Sequence, residues 1–400
     1  MQRLVNAFLD VIQTCLRVLP WPAEPRLIRV GHPGRHAPVL LTCNYDFTVR
    51  RVLQALRGQN AYLLVAPTRG INVWCSAAGG LFTAHQVISI LRTTGIAEMV
   101  DHRRLILPQL SATGVERKVV EETTGWHVVF GPVSARDLPA YLASQRKTSE
   151  MRQVGFPLLS RLEMAVAWAF PISAIGGMIL AIRWLHLLLP FVVLVWALAV
   201  ALFCFFPWFS GSVEHASRRN SSWTRYLVLF DPVIWRNLIV WLVLVAGLCV
   251  YARGWGGWNI SSLVGWSLAA LFVVLLLSMD MAGSTPIYKS GLLEDRLFHI
   301  ELDSDACQGR AMCWEVCPKN CYVIDTDRHK ATIALPDACV RCGACIVQCP
   351  EDALAFVGPT GQRISPQTIR TYKLNLVGRR AIPVSLAAEQ RPSGNQHPNA

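Results

Sequence analysis

Gly70-Ile71-Asn72-Val73-Trp74-Cys75-Ser76-Ala77-Ala78-Gly79-Gly80 follows an apolar run, Ala61–Ala66, and a short loop, Pro67–Gly70. A strand, a loop and then small residues around one cysteine is the pattern expected at the ligand edge of an α/β sheet. Small side chains let a large, flat group approach the backbone. A thiol beside them can ligate a soft or borderline metal. A buried structural cysteine in a Gly/Ala turn is the plain alternative.

The flanking sequence supports the α/β reading. Val39–Thr42, Ala61–Ala66, Arg104–Leu107 and His127–Phe130 read as strands, and Thr48–Leu56, Gln86–Thr93 and Leu138–Ser144 as helices. This alternation predicts a compact α/β domain over 39–145 with a largely parallel sheet. The turns Thr42-Cys43-Asn44-Tyr45, Pro108-Gln109-Leu110 and Gly131-Pro132-Val133 follow other strands and are candidates for the same cleft. Ordinary βα-turn chemistry would use the same residue types. Residues 1–38 read as an amphipathic helix, interrupted at Pro20 and Pro22, and an irregular lead-in packed on this domain. Arg3, Asp10 and Arg17 interrupt the first stretch, which therefore does not read as a signal peptide.

The composition demands a second environment. Hydrophobic residues make up 52% of the 400 and charged residues only 16%, too apolar for a soluble protein. The net charge is +12, yet no dense Lys/Arg block or RNA-binding motif accompanies it, so nucleic acid is not an expected partner. Arginines at membrane borders account for it more simply. A basic linker, 146–161, leads into the run Met164–Phe209, which as one helix would be about 69 Å long, twice a bilayer core. Two passes are therefore expected there, near Leu162–Ile182 and Leu187–Phe206, with two more at Ile234–Tyr251 and Ile260–Met279. The transmembrane domain is set at 162–282, and Asp280 reads as an interfacial cap ending its last pass. The stretch 210–232 carries Glu214, Arg218, Arg219, Arg225 and Asp231 and is not expected to span. Arginine and lysine flank one side of this all-α, four-helix domain. The expected product is a multi-pass protein of the inner (cytoplasmic) membrane with both termini and both soluble domains cytoplasmic.

Eight of the thirteen cysteines fall between Cys307 and Cys349. Cys339, Cys342, Cys345 and Cys349-Pro350 have the C-x2-C-x2-C-x3-C-P spacing of bacterial two-cluster iron–sulfur domains, in which the last cysteine reaches the other cluster. A zinc ribbon is the weaker alternative. In the first run Cys307, Cys313 and Cys317-Pro318 fall in register, but the second position is Arg310. Cross-ligation gives one 4Fe-4S cluster on Cys339, Cys342, Cys345 and Cys317. The other site keeps Cys307, Cys313 and Cys349, enough for a 3Fe-4S cluster or a 4Fe-4S cluster with one other ligand. Cys321 either supplies that ligand or stays a thiol. An α+β ferredoxin domain over 296–358 is expected, then a basic extension and polar tail over 359–400.

In this order the parts resemble a known pair of proteins. Residues 38–145 resemble the corrinoid-binding domain of the corrinoid iron–sulfur protein of acetyl-CoA synthesis. Residues 38–286 resemble more closely the corrinoid membrane protein of bacterial mercury methylation. The matching pieces are Leu41–Thr48, Gly70–Cys75, Leu107–Leu110, Gly131–Leu138 and Asp280–Pro286. Residues 300–357 resemble its two-cluster ferredoxin partner, so the chain looks like a fusion of the two.

The resemblance implies a cobamide whose cobalt takes Cys75 as lower ligand on a capping helix. It places Thr42, Asn44, Tyr45, Asn72, Val73, Trp74, Ser76, Ala77, Gln109, Gly131 and Pro132 around the corrinoid. It implies methyl transfer on cobalt, with an external methyltransferase as methyl donor, a low-potential electron donor and the ferredoxin domain as reductant. No Asp-x-His-x-x-Gly occurs, so a histidine ligand to cobalt is not expected. The family's Gly-Lys after the cysteine is here Ala78-Gly79, and no cysteine follows Cys349; both weaken mercury as the acceptor. A membrane-bound ferredoxin-type electron-transfer protein without corrinoid is the rival reading.

Overall fold

The computed structural model describes residues 2–17, 19–210, 232–255, 260–284, 298–358 and 361–371. The segment 210–232, not expected to span, lies outside these apart from its end residues, as do 285–297 and 372–400.

The first unit is an α/β sandwich. Helix α1 (Gln2–Cys15) precedes strand β1 (Leu27–Val30), which forms within the segment expected to be an irregular lead-in. Strands β2 (Val39–Cys43), β3 (Ala61–Ala66), β4 (Arg104–Leu107) and β5 (His127–Phe130) alternate with helices α2 (Asp46–Ala55), α3 (Val73–Ala78), α4 (Ala84–Thr93), α5 (Ile96–Met99), α6 (Arg117–Thr124) and α7 (Leu138–Ser144). The sheet order is β1-β3-β2-β4-β5. All neighbours are parallel except β1, which caps the edge antiparallel to β3. Leu41, Leu64 and Leu105 bury on one face with Val87 and Ile90 of α4; Leu40, Leu63 and Ile106 bury on the other with Val52, Leu138 and Tyr141. Burial on both faces explains why these strands read as continuous apolar runs.

A single turn, α8 (Ser149–Arg152), leads to the apolar helices. Helices α9 (Leu158–Arg183) and α10 (Leu185–Ser210) form a hairpin. A Cβ on Gly176 would meet the Phe191 ring at 2.4 Å, so a small residue is what lets the two helices close. Helices α11 (Pro232–Trp255) and α12 (Ile260–Ser284) follow, tied by Trp241 Nε1 donating to Ser267 O at 2.8 Å. Among the described residues three helices, starting at Leu158, Leu185 and Ile260, are long and apolar enough to cross a membrane; in α11 the apolar stretch Leu238–Val250 is shorter.

The C-terminal unit contains β6 (His299–Leu302), α13 (Met312–Val316), the hairpin β7 (Tyr322–Asp325) and β8 (Lys330–Ile333), α14 (Ala344–Gln348), β9 (Leu354–Val357), β10 (Arg363–Ile364) and α15 (Pro366–Thr371). It repeats itself in backbone. Gly309 and Arg341, Ala311 and Gly343, and Asn320 and Asp352 all have positive φ, each pair at the same offset that separates Cys307 from Cys339 and Cys317 from Cys349. Ala311 holds φ 58° where its counterpart is a glycine, a conformation alanine rarely adopts.

Candidate functional site

A cavity of about 900 Å³ opens at the carboxyl ends of β2, β4 and β5. Thr42 and Tyr45 enter its wall after β2, Pro108 and Leu110 after β4, and Gly131 and Pro132 after β5. Asn72 and Val73 reach it from the α3 side, and Pro157 and Leu159 from the start of α9. Arg17, Arg51 and Arg136 give it basic margins. Glu163 of α9 pairs with both Arg17 and Arg51.

Helix α3 is short, and Asn72 is its N-cap. Asn72 Oδ1 accepts from Cys75 N at 2.9 Å, and Asn72 Nδ2 donates to Cys75 Sγ at 3.4 Å. Cys75 is half-buried and is not itself a wall residue, but its sulfur sits one side chain from the cavity. Tyr45 is buried, its hydroxyl has no hydrogen-bond partner, and burial raises its pKa. An unsatisfied buried hydroxyl costs on the order of 1–3 kcal/mol, so this group is poised for a ligand acceptor.

The other residues expected around the cofactor are placed differently. Asn44 Oδ1 accepts from Thr68 N, Gly70 N and Thr68 Oγ1 at 2.8, 2.8 and 3.0 Å, and Nδ2 donates to Ala23 O at 2.9 Å. Asn44 thereby fixes the loop that delivers α3. Its partner Thr68 was not singled out from sequence; a buried Thr opposite a buried Asn is a pairing that only the fold reveals. Ser76 Oγ donates within the helix to Asn72 O at 2.6 Å, and Ala77 is buried against Gly114, where a Cβ would come within 2.5 Å of Ala77 O. Trp74, like Ser76 and Ala77, is outside the wall. Gln109 is buried and turns away from the cavity: its Nε2 donates to Arg152 O at 2.9 Å and Val316 O at 3.3 Å, while its Oε1 has no partner.

The cysteines of the C-terminal unit fall into two neighbourhoods. Cys307, Cys313 and Cys349 line one small cavity, with Arg310 and Glu351 at its margin, Nε to Oε1 3.5 Å. Among the described residues no three His, Cys, Asp or Glu side chains converge on one ion-sized point. Cys321 is absent from that wall. Its thiol instead hydrogen-bonds Cys317 and Cys339, and its backbone N donates to Cys317 Sγ at 3.3 Å. Those bonds pull the Cys317 thiol down to about 6 and lower Cys339, while the Cys321 thiol is held far up. Burial pushes Cys313 up to about 12 and raises Cys342 and Cys345. Tyr322 OH donates to Cys345 Sγ at 3.1 Å, Arg341 N to Cys339 Sγ at 3.4 Å and Ala331 N to Cys307 Sγ at 3.4 Å.

Two segments of the chain match known families. Residues 11–142 match the family described as CO dehydrogenase/acetyl-CoA synthase delta subunit, and residues 334–355 match the 4Fe-4S binding domain. The chain is 36% identical over 128 residues to an acetyl-CoA decarbonylase/synthase complex subunit gamma of Methanopyrus kandleri, covering 32% of this chain and 27% of that one. It is 28% identical over 125 residues to the corrinoid/iron-sulfur protein large subunit of Moorella thermoacetica, covering 31% and 28%. The chain thus spans about a quarter of the length of these relatives. The α/β unit is thus similar to a domain of the corrinoid iron–sulfur protein subunits, and a segment matching the 4Fe-4S binding domain follows it in the same chain. Helices α9 to α12 lie outside both matches.

Proposed function

We propose that the chain is a membrane-anchored corrinoid iron–sulfur protein that carries a methyl group on cobalt, its C-terminal unit serving as a two-cluster ferredoxin that reduces that cobalt. The observation that carries this reading is the cavity of about 900 Å³ at the strand carboxyl ends, walled by the N-cap of the Cys75 helix. It falls within the size of ligand sites, and its wall is mainly apolar with a few convergent polar groups.

The residues fit the group. Tyr45 offers an unpartnered hydroxyl to a side-chain amide, and Thr42 and Pro132 flank it in the wall. Cys75 would hold the cobalt through its sulfur, which Asn72 orients and from which it would withdraw charge. A bound corrinoid supplies a metal that takes up and gives off a methyl group. Arg17 and Arg51, fixed by Glu163, keep the margin basic and join it to the first membrane helix. Cys317, Cys339, Cys342 and Cys345 hold a four-iron cluster. Cys307, Cys313 and Cys349 hold a three-iron cluster, a reading supported by the engagement of Cys321 on the other side.

Helices α9, α10 and α12 cross the inner membrane, and α11 completes an even number of passes. Both soluble units then lie on the cytoplasmic face, in agreement with the direct contacts between them and with the arginine distribution. The methyl donor is an external methyltransferase, and a low-potential donor refills the clusters. Gly79 in place of a lysine counts against mercuric ion as acceptor.

Detergent-purified full-length protein should bind added cobamide stoichiometrically and show a cobalt–thiolate optical band that Cys75→Ala removes. Failure to bind leaves the chain a membrane-bound ferredoxin-type electron-transfer protein. Binding with an unchanged band in the variant removes Cys75 as the ligand.

A further inference from the structure

The C-terminal unit is seated on the α/β unit by a row of backbone carbonyls. Trp314 O accepts from Arg152 Nη1 at 2.6 Å, Glu315 O from Lys147 Nζ at 3.1 Å, Val316 O from Gln109 Nε2 at 3.3 Å and Pro318 O from Val154 N at 2.9 Å. Cys317 lies inside this row. On the neighbouring helix α14, Gln348 Nε2 donates to Ala112 O at 2.7 Å and Val115 O at 2.6 Å, and its Oε1 accepts from Arg117 N at 3.2 Å. Val316, Ala344 and Cys342 pack into the apolar core of the α/β unit itself.

The two glutamines reach different places. Gln109 begins the 3-10 turn Gln109–Thr113, and the residues on either side of it, Pro108 and Leu110, line the large cavity. Its amide touches the carbonyl of the residue bonded to Cys317. Gln348 adjoins Cys349, of the three-cysteine site, and ends on Ala112 and Val115, neither of which lines the cavity. Electron tunnelling through protein weakens far less along covalent and hydrogen bonds than across van der Waals gaps. A continuous bonded route runs from Cys317 through the Val316 carbonyl and the Gln109 side chain to the backbone at Pro108. The three-cysteine site, with exposed Gln308 and Arg310 beside it, faces outward instead.

The geometry points to Gln109 as the electron bridge between the Cys317–Cys339–Cys342–Cys345 site and the cavity, with Gln348 acting only as a clamp and the three-cysteine site as the point of uptake. This rests on the corrinoid reading above. One electron crosses at a time: the four-cysteine iron–sulfur group is oxidised by one unit, the cobalt is reduced by one unit, no bond or proton is exchanged, and a low-potential one-electron donor restores the first.

The test uses the full chain in detergent, loaded with iron, sulfide and a cobamide, and compares wild type, Gln109→Leu and Gln348→Leu. Flash reduction is followed at iron–sulfur and cobalt wavelengths separately. Cluster EPR and hydrogen exchange over 312–318 report on the iron–sulfur groups and on seating without reference to turnover. Gln109→Leu should slow cobalt reduction strongly while cluster reduction and EPR stay as in wild type and exchange over 312–318 rises only slightly; Gln348→Leu should loosen exchange more and slow the transfer less. If Gln109→Leu unseats the unit, Gln109→Met, of similar length and lacking the donor, takes its place. Equal slowing in both variants, or greater slowing in Gln348→Leu, overturns the bridge. Unchanged transfer in both also overturns it. A chain that binds no cobamide removes the corrinoid reading and the bridge together, whereas bound cobamide with equal slowing removes the bridge alone.

Discussion

Asn72 grips Cys75 twice, accepting from its backbone N at 2.9 Å and placing Nδ2 3.4 Å from its sulfur. The two contacts can be separated. Asn72→Asp keeps the cap acceptor but sets a carboxylate against the sulfur, whereas Asn72→Ala removes both. Loss of the cap should cost about 1 kcal/mol of stability in Asn72→Ala and little in Asn72→Asp. Both should shift the cobalt–thiolate band of the cobamide-loaded protein, Asn72→Asp the more. Thermal melts paired with optical spectra check this, and an identical band in all three proteins would refute the assignment.

The buried Tyr45 hydroxyl predicts opposite effects on stability and binding. Tyr45→Phe deletes an unsatisfied polar atom, so the protein without cobamide should be as stable as wild type or more so. Cobamide affinity should fall by roughly five- to tenfold, the worth of one hydrogen bond. Titration calorimetry and a denaturation series measure the two.

Cys321 should act as a reserve thiol. Because it contacts Cys317 and Cys339, Cys321→Ser alone should leave the iron content intact. Cys317→Ala should keep a four-iron cluster with altered EPR as Cys321 moves into the vacant position, and the double variant should lose it. Iron analysis and EPR decide the matter.

Lys147 makes the seating pH-dependent. Its amine is driven down to about 8 by burial, with Arg152 lowering it further and Glu315 opposing. Below about 8 the seated and released forms both carry the proton, and the cost of burying the charge is present in full. As pH rises from about 8 toward 10.5 the released form holds more protons than the seated one, so seating strengthens. Lys147→Arg cannot shed its charge and should abolish this gain. Hydrogen exchange over 312–318 across this window reads the difference.

The parts legible in the sequence were those whose signal is local. Strands β2 and β3 announced themselves because both their faces are buried, and the apolar helices because hydropathy alone defines them. The C-x2-C-x2-C-x3-C-P run reads as an iron–sulfur motif by spacing alone, and residues 334–355 match the 4Fe-4S binding domain. Strand β1 was missed: Leu27-Ile28-Arg29-Val30 is too short to show a period, and it is stabilised only by its antiparallel partner β3. Helix α3 is shorter than two turns, so only its cap could betray it. The direction of Gln109 was beyond reach, because its partner Val316 lies 207 residues away and nothing near Gln109 distinguishes a cofactor contact from a contact between units. The role of Cys321 was equally hidden, since the chain distance to Cys317 is the same whichever site its thiol faces.

Glu163 sits in the second turn of a helix fit to span the bilayer, yet both its partners, Arg17 and Arg51, belong to the α/β unit and border the cavity. That unit is riveted to helix α9 rather than tethered to it. A swinging carrier can shuttle its cargo between partners; a riveted one makes its partners travel. For the membrane-anchored methyl carrier proposed above, an enzyme that loads or unloads this cavity would dock within a side chain's reach of the lipid headgroups, its approach a search across a surface instead of through a volume.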